Sequence, residues 1–262
     1  MNKDPLYIFL HMPKCAGSTF REHIQQGIDH QFRLGFYNTN EKKLSRQDVF
    51  SEIKKLSGQE KDQLKIIYGH EVYYGIHTHF DRPVRYIVFL RNIFDRTLSF
   101  YNYQYQKRGE RLFKSSENKK FSGWFTTNKW VHDEMLGYFQ DYGFLEDIEQ
   151  EKRRDFDELL DKFWFIGLTE NADEEYLFLY QKLGINRFLK NQNISKKRKA
   201  TLGPQERDLV GQYSALDARL YNNAVIRNRG FKTKNAYRSI LFYMKQKRTV
   251  FSWLRNVKEA LS

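Results

Sequence analysis

What most constrains this chain is a series of short apolar runs, each closed by turn residues and each leading into a helical pattern. Leu6–His11 is the first run, read as a buried strand, and Pro13–Gly17 behind it holds the turn residues expected where a strand passes into a helix. Ser18 is then placed to cap a helix running to about Gln26. Ile66–Tyr68 ends at Gly69-His70, and Val84–Leu90 has the β-branched and aromatic content of an interior parallel strand, with a helix expected over Ile93–Tyr105. Phe163–Leu168 is a fourth strand, followed by a helix over Ala172–Leu183 that Asp173, Glu174 and Glu175 begin with dipole-favourable charge. Strands alternating with helices predict an α/β fold, a mainly parallel sheet flanked by helices.

Beyond Gly184 the pattern turns helical: a basic loop at Lys196–Lys199, a helix start at Pro204, and an amphipathic piece through Leu216–Val225. The tail over 235–262 reads as a basic amphipathic helix, with Phe251, Leu254, Val257 and Leu261 on one face. Such a face suits docking on its own domain, the favoured reading, with a peripheral contact with a membrane surface as the alternative. The stretch Lys107–Lys129 is polar, basic and without period, and is expected to be a surface loop. At 262 residues, with no internal repeat, the chain is expected to form a single domain.

With 45 Lys and Arg against 32 Asp and Glu, the net charge of +13 attracts anions: nucleic acid, anionic lipid, acidic glycan or a multiply phosphorylated nucleotide. One cysteine, Cys15, excludes an internal disulfide and a cysteine-rich zinc site. The first residues carry only a short apolar run that His11 and Pro13 interrupt, which fits neither a leader peptide nor a spanning helix, so the expected location is cytoplasmic.

Two segments carry chemistry. Lys14, Cys15, Ala16, Gly17, Ser18 and Thr19 lie between a strand and a helix, where unpaired amides and the helix dipole make a phosphate site. Gly17 would let the backbone approach the ligand, Lys14 would supply a cation, and Ser18 and Thr19 hydroxyl donors; Cys15 reads as a small packing residue. In the nucleoside-triphosphate loop the lysine follows the last glycine, whereas here it precedes it, and a Lys-Gly turn before a capped helix is also an ordinary α/β feature. In the second segment, Arg91 ends a strand and Ser99 lies two turns into the next helix, so both could address one phosphate; the alternative is that Arg91 and Arg96 only pair with acids such as Asp95.

Taken together, HMPKCAGSTF, YGHEVYYG, FLRNIFDRTLSFY, FIGLTENADEEYLFL and ALDARLYNNA resemble, in content and in order, the sulfotransferase superfamily, particularly the branch of the heparan sulfate 2-O-sulfotransferases and related carbohydrate enzymes. The resemblance implies a P-loop-like site for the co-substrate 3′-phosphoadenosine 5′-phosphosulfate, held by Lys14 through Thr19, with Lys14 also catalytic at the bridging oxygen. Arg91 and Ser99 match the family's 3′-phosphate clamp, and Lys197 and Arg198 lie about where relatives close over the nucleotide. His70 matches the catalytic base, with Glu71, His77 and His79 as alternatives, and Ile93 stands where the family often has proline. A neutral imidazole near pH 7 suits removal of a hydroxyl proton.

The expected reaction is therefore transfer of a sulfuryl group to a hydroxyl, with a glycan as the favoured acceptor, no metal and no nucleic acid required. Its rivals are a P-loop kinase, which needs magnesium and ATP, and a non-enzymatic binder of acidic glycan or nucleic acid, whose affinity would fall steeply with salt.

Overall fold

The computed structural model describes residues 4–108, 120–186, 201–234 and 236–260, with side chains for all of these except 105–108 and 250–260. In chain order the elements are β1 (Leu6–Leu10), α1 (Gly17–Gly27), β2 (Arg33–Phe36), α2 (Arg46–Lys55), α3 (Gly58–Gln63), β3 (Ile66–Gly69), β4 (Val84–Leu90) and α4 (Ile93–Arg108). They continue with α5 (Phe121–Thr127), α6 (Glu134–Asp141), α7 (Ile148–Arg153), α8 (Asp157–Asp161), β5 (Phe165–Leu168), α9 (Ala172–Leu183), α10 (Pro204–Tyr213), α11 (Ala215–Lys234) and α12 (Tyr237–Ala260).

The strands form one all-parallel sheet in the order β2-β3-β1-β4-β5. All five residues of β1 are buried because the strand lies mid-sheet between helical layers, which is why LYIFL is a continuous apolar run. On one face Phe9 and Phe89 meet Phe20 of α1 and Tyr176 of α9, with ring centroids 4.9 Å apart for Phe9–Phe20 and 5.1 Å for Phe89–Tyr176. On the other, Tyr86 packs on Phe144 and Phe163. Such pairs add roughly 0.5–1.5 kcal/mol each beyond the area they bury.

The expected α/β class, the parallel sheet and the helical C-terminal part are all present. The differences have local causes. β2 was not foreseen: RLGF at the sheet edge has a half-buried Arg33 and an exposed Gly35, so it lacks the apolar run that marks an interior strand. β1 stops at Leu10 and β5 starts at Phe165, since His11 and Phe163 lie outside the ladders. Ser18 is not the cap of α1; Ala16 takes that position in a left-handed conformation and makes no side-chain cap bond, and Ser18 is exposed in the first turn. Part of the expected loop over 107–129 is helical, because Phe121, Trp124 and Phe125 of α5 are buried against Tyr101 of α4 and one another. The piece expected at Leu216–Val225 belongs to the longer α11.

Two helix starts cap each other. Asp217 in α11 accepts from the amides of Met135 (2.9 Å) and Leu136 (3.0 Å) at the head of α6, while Asp133 before α6 accepts from the amide of Asp217 (2.8 Å). Glu175 is fully buried and ties α9 to β5 and α11 through the Leu168 amide, Asn228 and Lys232. α12 packs on α9 through Tyr237, whose ring lies 4.9 Å from that of Phe178. The face formed by Phe251, Leu254, Val257 and Leu261 lies outside the described side chains. No helix among the described residues is long and apolar enough to cross a membrane.

Candidate active site

The loop between β1 and α1 is held in a conformation that L-residues avoid. Lys14 has φ 64° and Ala16 φ 61°, while Cys15 between them and Gly17 after them do not share the positive φ. Each left-handed residue costs about 1–2 kcal/mol, so the surroundings must hold it. They do so through the carbonyls: the Arg91 guanidinium donates to the Lys14 carbonyl (3.3 Å), and the Tyr176 hydroxyl to that of Ala16 (2.8 Å). A peptide unit is planar and trans, so drawing the Ala16 oxygen towards Tyr176 turns the Gly17 N–H the opposite way. Alternating φ signs at the head of a helix form a concavity of amides that accepts an anion. Cys15 lies beneath, fully buried; burial pushes its thiol up to about 11 although Arg96 and Arg91 are near, which suits a packing role.

Strand register sets what stands beside this loop. Leu10 pairs with Gly69, so the residues that follow, His11 and His70, emerge side by side at the sheet's carboxyl edge. Gly69 is obligatory there: its φ is +156°, and a Cβ would lie 1.9 Å from the Phe36 carbonyl oxygen. The His70 Nδ1 is 2.7 Å from the His11 carbonyl oxygen, which can only accept. Nδ1 therefore carries the hydrogen, and Nε2 of neutral His70 is left as a proton acceptor. Burial lowers the His70 pKa below its ordinary 6.5; the His11 bond opposes this and Arg21 adds to it. The Tyr138 hydroxyl, 2.7 Å from the His70 carbonyl oxygen, fixes the backbone from the α6 side.

The alternatives to His70 are committed elsewhere. Glu71 accepts from Asn38 (2.7 Å) and Tyr142 (2.8 Å), with Tyr73 at 3.4 Å, and burial raises its pKa against those bonds. His77 lies 3.1 Å from the Tyr86 hydroxyl, four residues short of the end of β4, and the His79 ring packs on Phe50.

Arg91 and Lys14 thus meet in the structure, through the Lys14 carbonyl. The Lys14 ammonium stands 4.3 Å from the ring centroid of Tyr103 on α4. Ser99 is half-buried on the same helix. Arg96 does not pair with Asp95: it is buried and bonds Glu134 at 3.0 Å. Asn92 caps α4, its side-chain oxygen accepting from the Phe94 amide at 3.0 Å, which supplies the helix start with Ile93 in the proline position. Thr19 is buried and Ser18 exposed at the head of α1. Lys197 and Arg198 lie outside the described residues. Among the described residues, no group of three His, Cys, Asp or Glu is arranged to hold a metal ion.

The chain matches no family model and no curated protein. Among solved structures it is similar to a sulfotransferase from Alicyclobacillus acidocaldarius, with a TM-score of 0.43 and 15% identity over 84% of this chain and 95% of that one. It is also similar to mouse sulfotransferase SULT7A1 complexed with PAP, with a TM-score of 0.37 and 13% identity over 94% of this chain and 90% of that one.

Several site residues escape a reading of the sequence. His11, Tyr37 and Arg21 converge on His70: the His11 ring stacks on it at 4.0 Å, the Tyr37 ring stands 5.2 Å away edge-on, and the Arg21 guanidinium lies over Tyr37 at 5.0 Å. Tyr37 directly follows the unforeseen β2, and Tyr176 opens the apolar run of α9 behind three acidic residues. The one available signal was the histidine directly after the first strand.

Proposed function

We propose that this chain is a sulfotransferase that takes its sulfuryl group from 3′-phosphoadenosine 5′-phosphosulfate and passes it to a hydroxyl of a carbohydrate acceptor. The observation that carries this reading is the pairing of a strained anion-binding loop with an imidazole whose Nδ1 is bonded to that loop's first carbonyl, His70 to His11 at 2.7 Å, so that Nε2 is the basic atom. In the reaction the acceptor oxygen attacks sulfur while His70 Nε2 takes its proton. A new S–O bond forms, the S–O bond to the 5′-phosphate breaks with its electron pair on phosphate, and the products are the sulfated acceptor and adenosine 3′,5′-bisphosphate. The amides of Gly17 and Ser18 and the Lys14 ammonium would stabilise the leaving charge. Arg91 and Ser99 would hold the nucleotide's 3′-phosphate, and Lys197 and Arg198 would close over the nucleotide. The half-buried rings of Tyr37, Tyr73 and Tyr142 around His70 and Glu71 favour a sugar, whose C–H faces pack on aromatic rings.

The test is transfer of labelled sulfuryl from the donor to a panel of glycans, with ATP and magnesium as the comparison. The expected result is glycan labelling that falls by about 10²–10⁴ in His70→Ala while the bisphosphate still binds. Phosphoryl transfer from ATP, or full labelling by the variant, would refute the reading.

A further inference from the structure

The reaction proposed above gives no task to the imidazole beside His70. His11 is 3% exposed, and its ring is stacked on that of His70 with 4.0 Å between centroids and 26° between planes. One edge of the ring is engaged, with Nδ1 2.9 Å from the Tyr37 hydroxyl. The other edge lies against the first residue of α1: a Cβ on Gly17 would sit 2.1 Å from His11 Cδ2 and 2.5 Å from Nε2. Only glycine leaves room there, and the Nε2 edge thereby faces the helix start whose amides form the anion site.

The hydrogen on His11 can be placed by following the donors. Arg21 lies over the Tyr37 ring at 5.0 Å. The Tyr37 hydroxyl has one proton to place, and the acceptor set beside it is His11 Nδ1 at 2.9 Å, so the hydroxyl donates to Nδ1. Neutral His11 then carries its hydrogen on Nε2. Burial holds His11 well below the ordinary imidazole range, with His70 and Arg21 adding to the effect, so the ring stays neutral at pH 7. The stacked imidazoles thus have opposite characters, His70 Nε2 accepting a proton and His11 Nε2 offering one.

Resting on the sulfotransferase reading, we propose that His11 is a donor-binding residue whose Nε2–H bonds the sulfuryl end of the phosphosulfate. Its ring would anchor the group to be transferred one stacking distance from the base that activates the acceptor, with Tyr37 and Arg21 as the positioning residues behind it.

The probes are 3′-phosphoadenosine 5′-phosphosulfate and adenosine 3′,5′-bisphosphate, which differ by the sulfuryl group, titrated calorimetrically into the full chain and its variants. The wild type is expected to bind both, and His11→Ala to lose about tenfold in affinity for the phosphosulfate with little change for the bisphosphate. His11→Gln, which keeps an N–H on a side chain of similar reach, should recover part of the loss. Tyr37→Phe, which leaves the stacked rings in place but no longer fixes the His11 tautomer, should lose several-fold for the phosphosulfate alone, and it decides the matter if His11→Ala does not fold. An unchanged affinity ratio in a folded His11→Ala, or an equal loss for both ligands together with a lower melting temperature, would overturn the proposal and leave the sulfotransferase reading standing. A wild type that binds neither nucleotide would overturn both.

Discussion

His70 stands at the loop because Leu10 and Gly69 are register partners, and its protonation is governed by what surrounds it rather than by the sequence on either side. In the proposed reaction its active form is the neutral imidazole, and burial lowers its pKa below 6.5, so the fraction available as base would grow as pH rises through that lowered value. The acid limb of a kcat/KM profile should therefore fall below pH 6.5, and replacing Arg21 by Gln, which removes a nearby positive charge, should move that limb upward. A second prediction concerns Gly17. The methyl of Gly17→Ala would meet the His11 ring at 2.1 Å and displace it from its place against Tyr37 and His70, so single-turnover transfer should fall by about a hundredfold, a misplacement of about 1 Å being enough. The strand-to-helix loop at residues 13–19 was legible because turn residues stand between an apolar run and a helix, and local chemistry announces that; its use as an anion site belongs to the proposed function. The proposed role of His70 came only through resemblance. His11, Arg21 and Tyr37 were not legible, since what joins them is pairing between strands that lie dozens of residues apart.

Among the elements, β4 and α9 matched the expected bounds to the residue, each built on a continuous buried run, Tyr86–Leu90 in one and Tyr176–Tyr180 in the other. The edge strand β2 and the short α5 did not, one for want of apolar residues and the other because its burial comes from a tertiary partner, Tyr101. The segment ALDARLYNNA had been matched without a task for Asp217. Its carboxylate closes the head of α6, and the head of α11 is closed in return by Asp133. Asp217→Ala leaves two buried amides unpaired and should cost about 2 kcal/mol, read as a lower denaturation midpoint with an unchanged urea m-value. Because α6 also supplies Tyr138 to the His70 carbonyl, the same variant should lower transfer before it unfolds the chain.

At the scale of the molecule, the candidate site gathers residues from α1, α9 and the segments that follow β1, β3 and β4, and nucleotide binding should therefore stabilise the sheet as a unit. Adenosine 3′,5′-bisphosphate at a hundred times its dissociation constant contributes roughly 2.7 kcal/mol, about 5–10 °C in melting temperature for a chain of this size, and ATP with magnesium should give less. The charge of +13 means this shift should shrink as salt is added. The single thiol of the chain is Cys15, fully buried beneath the strained loop. A thiol reagent can reach it only when that loop lifts away from its braces at Arg91 and Tyr176, so the labelling rate of the intact protein is a clock for loop opening. Each molecule thus records, in one irreversible mark, the first time the loop between its first strand and first helix came apart.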